Sequence, residues 1–125
     1  MSWDDKRPMS PHIQIYKMPI TAKLSILHRG TGAVLFAGLI LMIWVLAAAA
    51  SGIDNWQTIQ SFLSSWLGKF VLFGFTFSLY YHLCNGIRHL MWDMGKGLSL
   101  EEVHFSARIV LIATVILTLL TWIIA

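Results

Sequence analysis

The chain of 125 residues is 57% apolar and only 12% charged, with a mean hydropathy of +0.68, which excludes an ordinary soluble domain and points to a single membrane domain, residues 1–125. Its formal net charge of +3 rests on nine Lys/Arg, and Lys6, Arg7, Lys17, Lys23 and Arg29 all precede the first long apolar run, a placement that suits lipid headgroups and argues against nucleic acid. The single cysteine, Cys84, excludes an internal disulfide framework and any cysteine-based zinc or iron–sulfur centre.

The opening "MSWDDKRPMSPH" carries acids and prolines, unlike a signal peptide or an acid-poor transit peptide, and reads as the start of mature protein. The following residues predict a short interfacial segment, with Pro19 and Thr21 marking entry into a helix. Three continuous apolar runs follow, at 30–50, 66–91 and 106–125. Each is long enough for the ~20 helical residues that cross a bilayer core. Continuity rather than alternation predicts helices, so the expected fold is an all-α membrane protein with three transmembrane helices.

The connection "SGIDNWQTIQSFLSS" has no Lys or Arg, whereas the second connection, 92–105, contains Lys96 and is flanked by Arg88 and Arg108. The positive-inside rule therefore predicts an inner N-terminus and second connection, and an outer first connection and C-terminus. Trp44, Trp56, Trp66, Trp92 and Trp122 lie near predicted helix ends or loops, as an aromatic belt requires. Three spans alone enclose no large aqueous path, so partners in the membrane are expected.

The middle run ends in "YHLCNGIRHLMWD". At 100° per residue, Ser78, Asn85, Gly86 and His89 fall within about 60° of His82, a small polar stripe that must face protein or a cofactor rather than lipid. His82 lies roughly nine residues, or ~13 Å of helix, before the inner end, inside hydrocarbon. His89 and Arg88 lie at the boundary, where headgroups or other anions can meet them. The commonest use of an isolated intramembrane histidine is an interhelical hydrogen bond. The functional alternative is axial ligation of haem iron, with the porphyrin in the apolar interior and its propionates directed to basic residues. One deep histidine supplies one ligand. His12 and His104 belong to polar flanks and His28 to the mouth of the first span, so a second ligand is expected from another chain.

In "SILHRGTG", Ser25 and Arg29 form an i, i+4 pair with His28 adjacent. Such a pair can hydrogen-bond a carbonyl or phenolic oxygen of a lipid-soluble ligand; it can equally serve as an interfacial anchor, and spacing alone favours the anchor. Thr114, Thr118 and Thr121 predict a helix-packing face with hydroxyls bonded back to carbonyls. Cys84, about 160° from His82 by the same helical count, reads as a small lipid- or helix-facing residue. Asp93, Glu101 and Glu102 read as solvated loop residues. A proton or ion path would need deep ionisable groups on more than one helix, and only the middle run has one.

Residues 7–32 and 82–95 resemble the two signatures of the cytochrome b membrane-anchor subunit of succinate dehydrogenase, respiratory complex II. The family's S-x-x-x-R pattern is matched by Ser25 and Arg29, and its H-x-x-x-G-I-R-H pattern by His82, Gly86, Ile87, Arg88 and His89. The resemblance covers essentially the whole chain. It implies that His82 is one axial ligand of a haem b shared with a second small anchor subunit, which donates the other histidine. It further implies that Ser25 and Arg29 help form a ubiquinone site completed by that subunit and the iron–sulfur subunit, and that Arg29, His28 and His89 lie near the haem propionates. Succinate oxidation would belong to a flavoprotein partner. The expected location is a cell inner membrane with the N-terminus cytoplasmic; the acidic start favours a bacterial membrane over the mitochondrial inner membrane. A purely structural membrane anchor, whose histidines only join helices, is the alternative.

Overall fold

The computed structural model describes residues 17–124, which form four α-helices: α1 (Ile20–Ala50), α2 (Ile53–Ser64), α3 (Trp66–Asp93) and α4 (Leu100–Ile124). Three of them, α1, α3 and α4, are long and apolar enough to cross a membrane. The interfacial segment expected ahead of the first span, together with His12, falls largely before residue 17 and outside the described residues.

Helix α1 begins at Ile20, at the entry read from Pro19 and Thr21, and continues unbroken through the apolar run that starts at residue 30. Pro19 is its extended cap residue, at φ −64° and ψ 156°, and the Pro19 carbonyl accepts from the backbone N–H groups of Ala22 and Lys23 at 3.1 and 3.2 Å. Proline's fixed φ and missing donor suit a helix entrance, where an N–H would have no intrahelical partner. The 31 residues of α1 make a rod of ~46 Å, longer than the ~30 Å hydrocarbon core. Ser25, His28 and Arg29 therefore ride on continuous helix near one end of the span.

The first connection is mostly helical. Ile53, Trp56, Ile59 and Leu63 recur at helical spacing in α2, and Ile59 is buried at 3% exposure. Asp54 in the first turn complements the helix dipole. Ser65 then ends α2 and caps α3, its hydroxyl donating to the Phe62 carbonyl at 2.6 Å and accepting from the Gly68 N–H at 3.1 Å. The corner closes so tightly that a Cβ on Gly68 would collide with the Phe62 carbonyl and the Leu63 backbone. Gly68→Ala is expected to destabilise the α2–α3 corner by about 1–3 kcal/mol, measured as a lower thermal midpoint in detergent.

Helix α4 starts six residues ahead of the expected 106. Ser99 and Glu102 form a reciprocal capping box: the Ser99 N–H donates to Glu102 Oε2 at 3.2 Å, and the Glu102 N–H donates to Ser99 Oγ at 3.3 Å. Glu102 thus has a structural duty beyond solvation. The threonine stripe behaves as predicted. Thr114, Thr118 and Thr121 each donate back to the carbonyl four residues earlier, at 2.7 to 2.9 Å, and the first two are buried.

Helix α3 is central and touches the other three. It brings its C-terminal half beside the start of α1, where Leu24, Tyr81, Ala107 and Val110 form the core, flanked by Phe77, Cys84 and Leu111. Elsewhere the spans present large apolar side chains outward, among them Phe36, Leu46, Phe70 and Ile116. Such surface is compatible with lipid or neighbouring membrane protein rather than water.

Candidate functional site

The site grows from the junction of α1 and α3. Tyr81 is fully buried, and its hydroxyl donates to the Leu24 carbonyl at 2.7 Å, fixing the height of α3 against α1. His82, the next residue, consequently meets the following turn of α1. Its Nδ1 lies 3.2 Å from the His28 carbonyl and 3.4 Å from Thr31 Oγ1. The Thr31 hydroxyl has the Leu27 and His28 carbonyls at 2.9 Å each, so its single proton is directed to the backbone and a lone pair is left for His82. Both neighbours of Nδ1 are then acceptors. The neutral ring must carry its proton on Nδ1 and keep its lone pair on Nε2.

Two further imidazoles gather here. The His28 ring stacks on His82 with centroids 3.9 Å apart and planes 12° from parallel. His89 is 5.3 Å from His28 and stands perpendicular to Trp92 with ring centroids 5.1 Å apart. His28, His82 and His89, predicted from different segments, thus form one half-buried cluster. The stacking covers a face of His82 and leaves the in-plane direction of Nε2 clear of His28. Ser25 and Arg29 occupy a neighbouring face of the same end of α1, where Arg29 Nη2 donates to Ser25 Oγ at 3.3 Å. Arg29 is exposed.

The polar stripe on α3 divides into two. Ser78, Asn85 and Arg88, with Tyr81, are buried, whereas His82, Gly86 and His89 remain half-buried. Arg88 does not turn outward toward headgroups or other anions, as expected, but into the bundle. It is only 4% exposed, with Nε donating to Ser106 Oγ and Nη2 to the Val103 carbonyl, both at 3.0 Å. Its guanidinium carbon lies 4.0 Å from the Trp92 ring centre. Trp92 Nε1 in turn donates to the Gly97 carbonyl at 3.0 Å, inside the α3–α4 turn. The reason is angular: Arg88 and His89 are one residue, or ~100°, apart on a helix, so only one can face the imidazoles. Arg88 instead ties α3 to α4.

Among the described residues no group of three His, Cys, Asp or Glu can hold a bare metal ion. A porphyrin-held iron asks less of the protein, one or two axial ligands, and a single imidazole of fixed tautomer meets that requirement. Metal-ligating histidines usually donate their other N–H to a carbonyl or carboxylate, as His82 Nδ1 is placed to do. The Nδ1 of His28 is buried and without a hydrogen-bond partner among the described residues, leaving a polar atom beside His82 with capacity for a ligand group.

The family model for the succinate dehydrogenase/fumarate reductase transmembrane subunit matches residues 4–121. The chain belongs to this family. Among its relatives, the succinate dehydrogenase cytochrome b556 subunit of Paracoccus denitrificans is 41% identical over 118 residues, 94% of this chain and 91% of that one. The b556 subunit of Rickettsia prowazekii is 43% identical over 119 residues, covering 95% and 93%. The mitochondrial cytochrome b560 subunit of Bos taurus is 43% identical over 112 residues, covering 88% and 66%. As a succinate dehydrogenase transmembrane subunit, the chain is a membrane anchor of complex II, the succinate:quinone oxidoreductase. Every site residue named above falls within the matched region.

Sequence reasoning missed Thr31 and Gly32 as neighbours of His82. Both lie in "SILHRGTG", but their contact with His82 spans fifty residues of chain, and no local pattern encodes it. Thr31 is buried at 4% exposure. A polar residue about three turns into α1, three positions after a histidine, was the available signal.

Proposed function

We propose that His82 is one axial ligand of a haem b held between this chain and a second small anchor subunit, which supplies the opposite histidine. We further infer that Ser25 and Arg29 contribute to a ubiquinone site. The observation that carries the first reading is the placement of His82 Nδ1 beside the His28 carbonyl and Thr31 Oγ1; a carbonyl can only accept, which assigns the proton to Nδ1 and leaves the Nε2 lone pair free. When bound, haem would supply a one-electron redox centre in the apolar interior. His82 would hold the iron, while His28, Arg29 and His89 would offer nitrogen donors or positive charge to the propionates. The unpartnered Nδ1 of His28 supports that role.

Arg29 and Ser25 would orient the quinone head by donating to its carbonyl oxygen, and their mutual hydrogen bond keeps the guanidinium pointed along one face. Their position at the end of a span lets the tail stay in lipid. Membership of succinate dehydrogenase supports partner subunits, and in this reading they are an iron–sulfur subunit that completes the quinone pocket and a flavoprotein that oxidises succinate. In this reading residues 1–125 act as one anchor domain in a cell inner membrane, mitochondrial in the alternative, with the N-terminus and the α3–α4 turn on the cytoplasmic or matrix side.

The interhelical bond from His82 to the His28 carbonyl also favours a second reading, a purely structural anchor. A reduced-minus-oxidised visible spectrum of the purified complex separates the two: a b-type band is expected, and its absence favours the structural anchor. For the quinone site, Arg29→Leu is expected to lower succinate:quinone reductase activity about tenfold or more, because a charge-assisted hydrogen bond contributes ~1.5–3 kcal/mol. Succinate oxidation with an artificial acceptor should persist. Unchanged quinone kinetics would remove Arg29 from the site.

A further inference from the structure

We infer that Thr31 and Gly32 are positioning residues that set the tautomer and the ring angle of His82, an inference that rests on the haem-ligand reading above. The two do different work. Thr31 Oγ1 commits its proton to α1 carbonyls at 2.9 Å and so can only accept at His82 Nδ1, 3.4 Å away. The Nδ1–H of His82 is shared between Thr31 Oγ1 and the His28 carbonyl, the latter at 3.2 Å. A hydroxyl held in this way rejects the tautomer with its proton on Nε2, which could not ligate iron through that atom. Two acceptors on Nδ1–H also push electron density into the ring and strengthen its donation to a ferric ion.

Gly32 acts through space. A Cβ built there would stand 3.2 Å from His82 Cε1 and 3.7 Å from Nδ1, so any larger residue must displace the imidazole by a few tenths of an ångström. With His28 stacked at 3.9 Å, the ring sits between an imidazole plane and the α1 backbone. Its rotation is therefore confined by the seat as well as by its own side-chain torsions.

The test uses the intact complex carrying Thr31→Val, Thr31→Ser or Gly32→Ala, read by haem content per flavin, the low-spin ferric electron paramagnetic resonance signal and the haem midpoint potential. Valine keeps the volume and branching of threonine while removing the hydroxyl, so packing is preserved. Thr31→Val is expected to retain haem and shift the midpoint potential upward, because the ligand becomes a weaker donor; Thr31→Ser should return it to the parent value. Gly32→Ala is expected to move the largest g value, which depends on axial-ring orientation. Haem loss in Thr31→Val with rescue in Thr31→Ser also supports the hydroxyl's role. Parent-like signals and potential in both Thr31→Val and Gly32→Ala would overturn the inference, as would equal haem loss in Thr31→Val and Thr31→Ser. A parent complex without a b-type spectrum would overturn the haem reading itself, a result distinct from an intact parent spectrum with unmoved variants.

Discussion

In a complex carrying His82→Ala, the six-coordinate low-spin b-type spectrum is expected to disappear, leaving either a high-spin form or no haem. The chain offers one imidazole whose tautomer is fixed by α1, and alanine removes it entirely. The bundle should survive the change. The Tyr81 hydroxyl still holds the Leu24 carbonyl, and Leu24, Ala107 and Val110 still pack around it. What is lost structurally is one hydrogen bond between helices, about 1 kcal/mol in membrane proteins. Flavin content and succinate oxidation with an artificial acceptor should therefore stay near the parent values while the spectrum collapses. His28 is the nearby imidazole to watch, 3.9 Å from the vacated ring. Recruitment of His28 to the iron would produce a displaced signal, and a His28→Ala/His82→Ala pair would abolish it. A low-spin signal unchanged in His82→Ala would end the assignment.

The parts of this arrangement that were legible in sequence are those governed by local physics. Apolar runs of bilayer length announced the three spans, and the pairing of Ser25 with Arg29 followed from i, i+4 helical spacing. The helical content of 53–64 was also legible in Ile53, Trp56, Ile59 and Leu63, but the absence of a spanning run drew the reading to a loop. The start of α1 was legible in Pro19 and Thr21, whereas that of α4 was not, because hydropathy marks where lipid begins while the Ser99–Glu102 box marks where that helix begins. Helical angle alone could not decide which side of α3 meets α4. Asn85 lies only about 60° from His82 by count, yet it is fully buried against the other face. That choice is made by the core around Tyr81 and by Arg88, through contacts with α4 that have no periodic signature.

Arg88 provides the sharpest test of that division. In Arg88→Ala, stability is expected to fall by about 3–4 kcal/mol, combining lost charge-assisted hydrogen bonds with the cavity left between α3 and α4. Arg88→Leu should cost less, roughly 1–3 kcal/mol, because it fills the space and because Ser106 Oγ continues to donate to the Val103 carbonyl at 3.2 Å. Asn85 would still be strained by the change: its Nδ2 has no partner among the described residues, and its Oδ1 would lose Arg88 Nη1 at 3.5 Å. Lysine cannot reproduce two directed donors and a planar stack on Trp92 with one ammonium, so Arg88→Lys should fall between alanine and the parent. Thermal unfolding of the detergent-solubilised complex, with the yield of assembled complex beside it, gives the ranking. The haem spectrum of whatever assembles should match the parent, because Arg88 faces α4 and not the imidazoles. A propionate partner would behave in the opposite way, moving the haem midpoint potential with little change in melting, and that outcome would return Arg88 to the boundary site.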